Sequence, residues 1–281
     1  MAWKKGSYKK VELSKKDSDE KIMKLASDAK IFRDSEKYKE YLKFMSFFHK
    51  YSWRNTCLIY MQRPNATRVA GMGTWNKMGR RVNKKENDGT GLRILAPRFR
   101  EYTKKEKNIK GEEEDIKKQY MYFVEVCVWD VTQTTGKELP VIEYQATGDG
   151  DLYKTMEDII KDEGVRLYYD AENNGYMILS SKEIHIKNSM DPNGKFATMV
   201  HEMAHYKMGH PISSDINETE AESVCYLVCS TFGIDRKSEI YLAGWLSDKA
   251  IMESMDKIYK VSKEIIDKIN ESLKKEKVSL K

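Results

Sequence analysis

The chain has little cysteine, little proline and no long apolar run. Its four cysteines, Cys57, Cys127, Cys225 and Cys229, include no Cys-x-x-Cys pair and are too few to staple 281 residues. A thiolate metal knuckle and a disulfide framework are therefore excluded, and the four read as buried thiols. No stretch approaches the roughly twenty apolar residues that cross a bilayer, and Met1-Ala2-Trp3-Lys4-Lys5-Gly6 leads into charge rather than into an apolar signal segment. The expectation is a cytoplasmic protein with no membrane partner. Internal repeats and low-complexity tracts are missing too. What is present is 40% hydrophobic and 33% charged residues with a mean hydropathy of -0.71, a balance that buries a core beneath a wet surface and excludes wholesale disorder. At this length two compact domains are expected rather than one.

Acidic residues are missing from one long stretch. Between Tyr41 and Lys85 there are ten basic side chains and no acidic one, with Trp53, Tyr60 and Trp75 interleaved. Residues 1–110 hold 29 Lys or Arg against 12 Asp or Glu, whereas residues 111–281 hold 21 against 32. Such a basic, aromatic-bearing half has the composition of a polyanion-binding surface. Cations release counterions on meeting phosphates and rings stack unpaired bases, so a single strand is the sharper expectation. Arg63, Arg80, Arg81, Lys84 and Lys85 are candidate phosphate contacts and Trp75 a candidate base platform. Asn55 and Gln62 either hold a turn or contact sugar and base edges.

Periodicity separates the halves and places the fold in the α+β class. After a basic, flexible N-terminus over residues 1–16, Asp17 or Ser18 caps a helical region through Ile22, Leu25, Ala29 and Phe32, and Tyr38, Leu42, Met45 and Phe48 continue its period. Strands are expected at 58–61, 67–70, 92–95 and 121–131, with 104–118 an exposed loop between them. A boundary near 140–151 leaves one domain over 17–145 and another over 146–281. The second reads as a helix at 152–162, strands at 165–169, 176–179 and 183–186 with an Asn174-Gly175 hairpin turn, then helices at 196–207, 218–232 and 238–247 and a long one at about 249–275. In the last, Ile251, Met255, Ile258, Val261 and Ile265 form an apolar stripe.

The chemistry is concentrated in Thr198-Met199-Val200-His201-Glu202-Met203-Ala204-His205-Tyr206. Two imidazoles four residues apart share a helical face and can ligate one ion, with Glu202 beside them. The uncharged neighbours mark a buried helix, where unpaired imidazoles are costly. A catalytic zinc needs a third protein ligand and an open position. Asn217-Glu218-Thr219-Glu220-Ala221-Glu222 supplies Glu218 and Glu222 on one face of the next helix. One can reach the ion while the other accepts the free N–H of a ligating histidine. The order of the two resembles the gluzincin type of zinc peptidase, which assigns Glu218 to the metal and Glu222 behind it; the reverse remains open. Glu220 points elsewhere and is expected in solvent. His210 is expected to be a loop or transition-state residue rather than a ligand, Tyr206 is another candidate oxyanion donor, and His49 and His185 are structural. The implied chemistry is peptide hydrolysis by metal-activated water with Glu202 as general base.

The run Tyr51-Ser52-Trp53-Arg54-Asn55 through Gln62-Arg63-Pro64 to Gly71, with Thr74-Trp75 to Lys85, Ile94-Leu95-Ala96-Pro97 and Val128-Trp129-Asp130 to Gly136, resembles the N-terminal domain of ArdC-type antirestriction proteins. The resemblance implies a single-stranded DNA-binding domain followed by a zincin-like metallopeptidase domain, zinc as cofactor, and an antirestriction role on a mobile genetic element. It leaves the protein substrate, a restriction enzyme or a regulator, unidentified. The acidic Glu86-Asn87-Asp88 departs from that family's usual turn. The C-terminal half is also similar to ImmA/IrrE peptidases, which act on repressors. Two other outcomes stay open: a single-strand-binding antirestriction protein whose metal is mainly structural, and an ImmA-like repressor protease.

Overall fold

The computed structural model describes residues 12–28, 30–48, 50–83, 91–107, 113–139, 151–211, 214–235 and 247–279. In chain order these form β1 (Glu12–Leu13), α1 (Lys15–Asp28), α2 (Ser35–Phe47), α3 (Trp53–Gln62), β2 (Val69–Ala70), α4 (Met72–Lys77), β3 (Arg80–Val82), β4 (Leu92–Lys107), β5 (Glu113–Asp130), a 3-10 turn (Val131–Gln133) and β6 (Thr134–Gly136). Then follow α5 (Asp151–Asp162), β7 (Arg166–Tyr168), β8 (Gly175–Ile178), β9 (Glu183–Ile186), α6 (Pro192–Met208), α7 (Asp215–Thr231) and α8 (Asp248–Ser279). The mixture of helix and sheet agrees with the expected class. No described helix is long and apolar enough to cross a membrane.

Two compact units result, one of residues 1–28 with 57–138 and one of residues 29–56 with 139–281. The division differs from the linear order expected from periodicity, because 29–56 clusters with the C-terminal half. The cause lies in α2. Asp34 caps it through the Glu36 and Lys37 N–H groups, and its buried stripe of Tyr38, Tyr41, Leu42 and Met45 packs on α7, where the Tyr38 hydroxyl donates to Ser223 at 2.9 Å. Trp53 Nε1 and Arg54 both donate to Asp256 of α8. The helical period was readable; the wall it packs against was not.

The first unit is built on the paired β4 and β5, which run antiparallel through sixteen cross-strand partners, with β1 and β2 also pairing β5. Two expectations change here. Residues 104–118 do not leave the sheet as a loop: the described part continues both strands into a long ribbon. Residues 58–61 belong to helix α3, not to a strand. Ser14 rather than Asp17 begins α1, since Ser14 Oγ accepts from the Asp17 N–H while Asp17 accepts from Ser14. The core gathers Ile22, Leu58, Ile59, Trp75, Leu92, Ile94, Val124, Val128 and Trp129. At Gly91 a Cβ would meet the Trp129 ring at 2.8 Å, so only glycine lets the start of β4 lie against that indole.

In the second unit β9 lies between β7, to which it is parallel, and β8, to which it is antiparallel. Asn174-Gly175 is therefore no hairpin turn between neighbours, because β7 and β8 do not pair. Against this small sheet lie α5 and α6, with α7 and α8 beyond. The apolar stripe of α8 is buried as expected, extended by Ile266 and Ile269. Among the four cysteines, all free, Cys127 is half-buried and the others are buried. His49, Lys84, Lys85, most of the 1–16 segment, the expected boundary and nearly all of the expected 238–247 helix lie outside the described residues.

Candidate metal centre

Helix α6 starts where Asp191 accepts from the Gly194 N–H at 2.9 Å and Pro192 occupies the first turn, a position that needs no N–H. It ends at Gly209, whose φ of 66° lets the chain reverse. That reversal has a chemical result. The His210 N–H bonds the His205 carbonyl at 3.1 Å, and the two imidazoles meet with their Nδ1 atoms 3.0 Å apart. Ser214 caps α7 and sets Glu218 in its first turn.

Three potential ligand atoms converge. His201 Nε2 and His205 Nε2 lie 3.1 Å apart, and a Glu218 carboxylate oxygen lies 3.4 Å from the first and 3.6 Å from the second. Bonds of about 2.0–2.1 Å to a tetrahedral ion place donor atoms about 3.3 Å from one another, so this spacing matches one face of such a polyhedron. Of the two open assignments, Glu218 faces the ligand nitrogens, whereas Glu222 lies behind, 3.2 Å from His201 Nδ1. Among the described residues His201, His205 and Glu218 are the group that could hold an ion. The Glu218 side chain is 46% exposed, so the donors form one wall of an open cleft of ≈ 260 Å³. Glu202, 7% exposed, also lines it, as do Tyr176 and Met177 of β8. A Cβ on Gly175 would meet Thr198 at 2.6 Å and would sit 3.5 Å from a Glu202 oxygen, so a glycine lets β8 approach the carboxylate this closely.

The groups behind the ligands determine which nitrogen is free. Glu220, expected in solvent, is fully buried instead. It accepts from His210 Nε2 at 2.9 Å, from Ser254 at 2.6 Å and from Lys257 at 3.1 Å. Burial alone would raise the Glu220 pKa; those three donors outweigh it and hold the carboxyl below its usual range. An ionised Glu220 can only accept, so His210 carries its proton on Nε2 and offers Nδ1 as an acceptor. His205 must then donate from Nδ1, which leaves its Nε2 lone pair facing the cleft. Glu222 does the same for His201. His210 thus supports a ligand, a role its position outside the i, i+4 face did not suggest. Its signal in the sequence was Gly209, the helix stop that turns the chain back.

The electrostatics favour a positive charge between the two imidazoles. Burial opposes charge on His201, but hydrogen bonds to Glu218 and Glu222 overcome it and push its pKa up to about 10. Burial and the neighbouring His201 charge bring His205 down to about 4. One proton is held there in the metal-free site, and a metal ion must displace it.

The expected nucleic-acid contacts fare differently. Trp75 is 2% exposed and its Nε1 donates to the Trp129 carbonyl at 2.9 Å, so it is a core residue and no base platform. Arg80 spends its guanidinium on Thr134 and on the Thr134 and Lys137 carbonyls, which fasten β3 to β6. Its role is structural. Half-buried Arg63 donates to Thr132 at 3.0 Å. Arg81 is exposed. The Gln62 amide pairs with both backbone groups of Arg93, at 2.9 and 2.8 Å, and so ties α3 to β4.

Similarity to known proteins defines a class first. Residues 23–129 match the family described as the N-terminal domain of anti-restriction factor ArdC, so the first part of the chain is ArdC-like. In particular, the chain is similar to the solved antirestriction protein ArdC of plasmid R388. It is 17% identical to the metal-free structure with a TM-score of 0.43, and 16% identical to the Mn(II)-bound structure with a TM-score of 0.48; each match covers 79% of this chain and 84% of that one. An uncharacterized protein of Bacillus anthracis is 25% identical over 302 aligned positions, covering 90% of this chain and 51% of its own length. The chain thus spans about half the length of the curated relative it matches.

Proposed function

We propose that this is an ArdC-like antirestriction protein in which a single-strand-binding N-terminal unit accompanies a zincin-like, metal-dependent peptidase. The carrying observation is the convergence of His201, His205 and Glu218 on one point with the buried Glu202 carboxylate in the same cleft. Two imidazoles and a carboxylate suit zinc. When bound, such an ion supplies Lewis acidity and brings the pKa of a water towards neutrality.

The chain's own groups do the rest. Glu202 takes a proton from water as oxygen adds to the peptide carbonyl, and returns it to the amine as the C–N bond breaks. Glu222 and His210 keep the two ligating rings oriented. Tyr176 and Met177 of β8, an outer strand of its sheet, border the cleft where an extended peptide would lie. A mainly structural metal is the weaker reading, because structural zinc sites use four protein donors and are closed, whereas three converge here among the described residues, one of them the exposed Glu218.

The antirestriction role and the nucleic-acid partner draw support from the ArdC-like segment and from the excess of cations in residues 1–110. The substrate is a protein met at DNA, a restriction enzyme or a transcriptional regulator. Co-incubation with candidates of both kinds, with and without single-stranded DNA, tests the peptidase. Glu202→Gln should retain zinc and lose about 10²–10⁴-fold in cleavage rate. Cleavage at the native rate by this variant would overturn the mechanism.

A further inference from the structure

The ribbon formed by β4 and β5 has two unlike faces beyond its core-covering end. Cross-strand pairs share a face, and alternate pairs point the same way. One face therefore carries Arg98, Arg100, Tyr102 and Lys104 on β4 opposite Tyr122, Tyr120, Lys118 and Ile116 on β5. Of these eight positions four are cationic, three are tyrosine and none is acidic; the next pair on the same face, Glu106 opposite Glu114, is acidic and ends the stripe. On the reverse face, Phe99, Glu101, Thr103 and Lys105 oppose Met121, Gln119, Lys117 and Asp115, where two cations balance two acids.

Tyr102 and Tyr120 are exposed, Tyr122 is half-buried, and the three stand in series. Tyr102 and Tyr120 have centroids 5.8 Å apart, and Tyr120 and Tyr122 5.9 Å apart. Tyr102 is 43% exposed and Tyr120 40%. Arg100 lies over the Tyr122 ring at 5.2 Å and donates to the Tyr120 hydroxyl at 3.1 Å, which fixes the middle of the row. At the outer end Glu106 accepts from Lys104 and Lys118 and holds both ammonium groups close to the tyrosines. From residue 98 to residue 104 the stripe runs about 20 Å at the usual strand rise. A ribbon that exposes Tyr102 and Tyr120 among four cations is poorly explained by stability, since exposed aromatic area returns nothing to folding.

We infer that this tyrosine and cation face of the β4–β5 ribbon is the surface on which a single-stranded nucleic acid lies, its bases on Tyr102, Tyr120 and Tyr122 and its phosphates along Arg98, Arg100, Lys104 and Lys118. The inference rests on the single-strand reading proposed above, and moves its contacts away from Trp75 and Arg80. Ring faces without base-edge donors in register give binding that tolerates sequence, and the alternation of ring and cation matches that of base and phosphate. A peptide adding to a ribbon edge would use backbone groups and would be indifferent to the charge of this face.

The test is fluorescence anisotropy of a labelled oligothymidylate with the full chain over a salt series. Tyr102→Ala with Tyr120→Ala should weaken binding by at least about tenfold, whereas Tyr102→Phe with Tyr120→Phe, which keeps the rings, should leave it within about threefold. Arg98→Gln should flatten the salt slope by about one unit. Lys105→Gln with Lys117→Gln on the reverse face should change neither the rings nor the stripe and should bind as native. If the native chain binds the oligonucleotide and the alanine pair binds equally well, the ribbon assignment is wrong while the single-strand reading stands. If the native chain does not bind, both fall.

Discussion

The two units hold their functional groups in opposite ways. In the second, both imidazoles that face the cleft have protein behind them: Glu222 behind His201, His210 and then buried Glu220 behind His205, and Ser254 and Lys257 of α8 behind Glu220. In the first, the stripe of tyrosines and cations stands on a two-stranded ribbon exposed to water. A metal site must select one protonation state and one geometry, and buried partners impose both before any ligand arrives. A surface for a flexible polyanion must instead accept many conformations, so rings and solvated cations on an extended strand suffice. Preorganisation is concentrated where the chemistry needs it.

That contrast can be broken most forcefully at the groups behind His205. Glu220→Gln removes the ionised acceptor that dictates the His210 tautomer, and His210→Ala removes the acceptor for His205 Nδ1. Each should lower zinc affinity by about 10–100-fold with little change in oligonucleotide binding. Competition with a chromophoric chelator measures it, and unchanged affinity in both would show that the chain behind His205 is incidental. A smaller effect sharpens the other side. Arg80→Ala should cost about 1–3 kcal/mol of stability to urea, through the carbonyls it leaves without their donor, while the salt slope of oligonucleotide binding stays native. A flattened slope would return Arg80 to the phosphate contacts.

How much of this was legible beforehand follows from how local each feature is. His201, Glu202 and His205 lie within five residues of one helix, whose geometry follows from its period. Glu218 and Glu222 open the next helix, so the shared face of that pair was readable as well. Between these two carboxylates spacing alone left the choice open, and packing of α6 on α7 puts Glu218 near His201 Nε2 and Glu222 near its Nδ1. The Glu220–His210 connection escaped because it depends on the reversal at Gly209 and on α8, which comes more than thirty residues later.

The first unit was harder to read for a different reason. Composition counts cations and rings but does not say which are already in use, so Trp75 and Arg80, both committed inside the fold, stood among the candidate contacts. The functional stripe was concealed by 104–118, whose density of charge suggested a loop. Alternation along two paired strands sorts those charges, placing Arg100, Tyr102 and Lys104 with Tyr120 and Lys118, sending Glu101 and Asp115 to the other side and leaving Glu106 and Glu114 at the outer end of the stripe. Pairing register is a tertiary property, and no single-strand pattern reveals it. The assignment of 29–56 to the second unit has the same origin.

The proposed chemistry needs one ion held by His201, His205 and Glu218, and metal analysis of purified protein tests that directly. After exhaustive chelation and reloading with zinc or manganese, the native chain and Glu202→Gln should each retain close to one equivalent, and His201→Ala, His205→Ala and Glu218→Ala should retain far less while keeping native circular dichroism. A native chain that takes up neither metal, or folded ligand variants that load as fully as native, would contradict it.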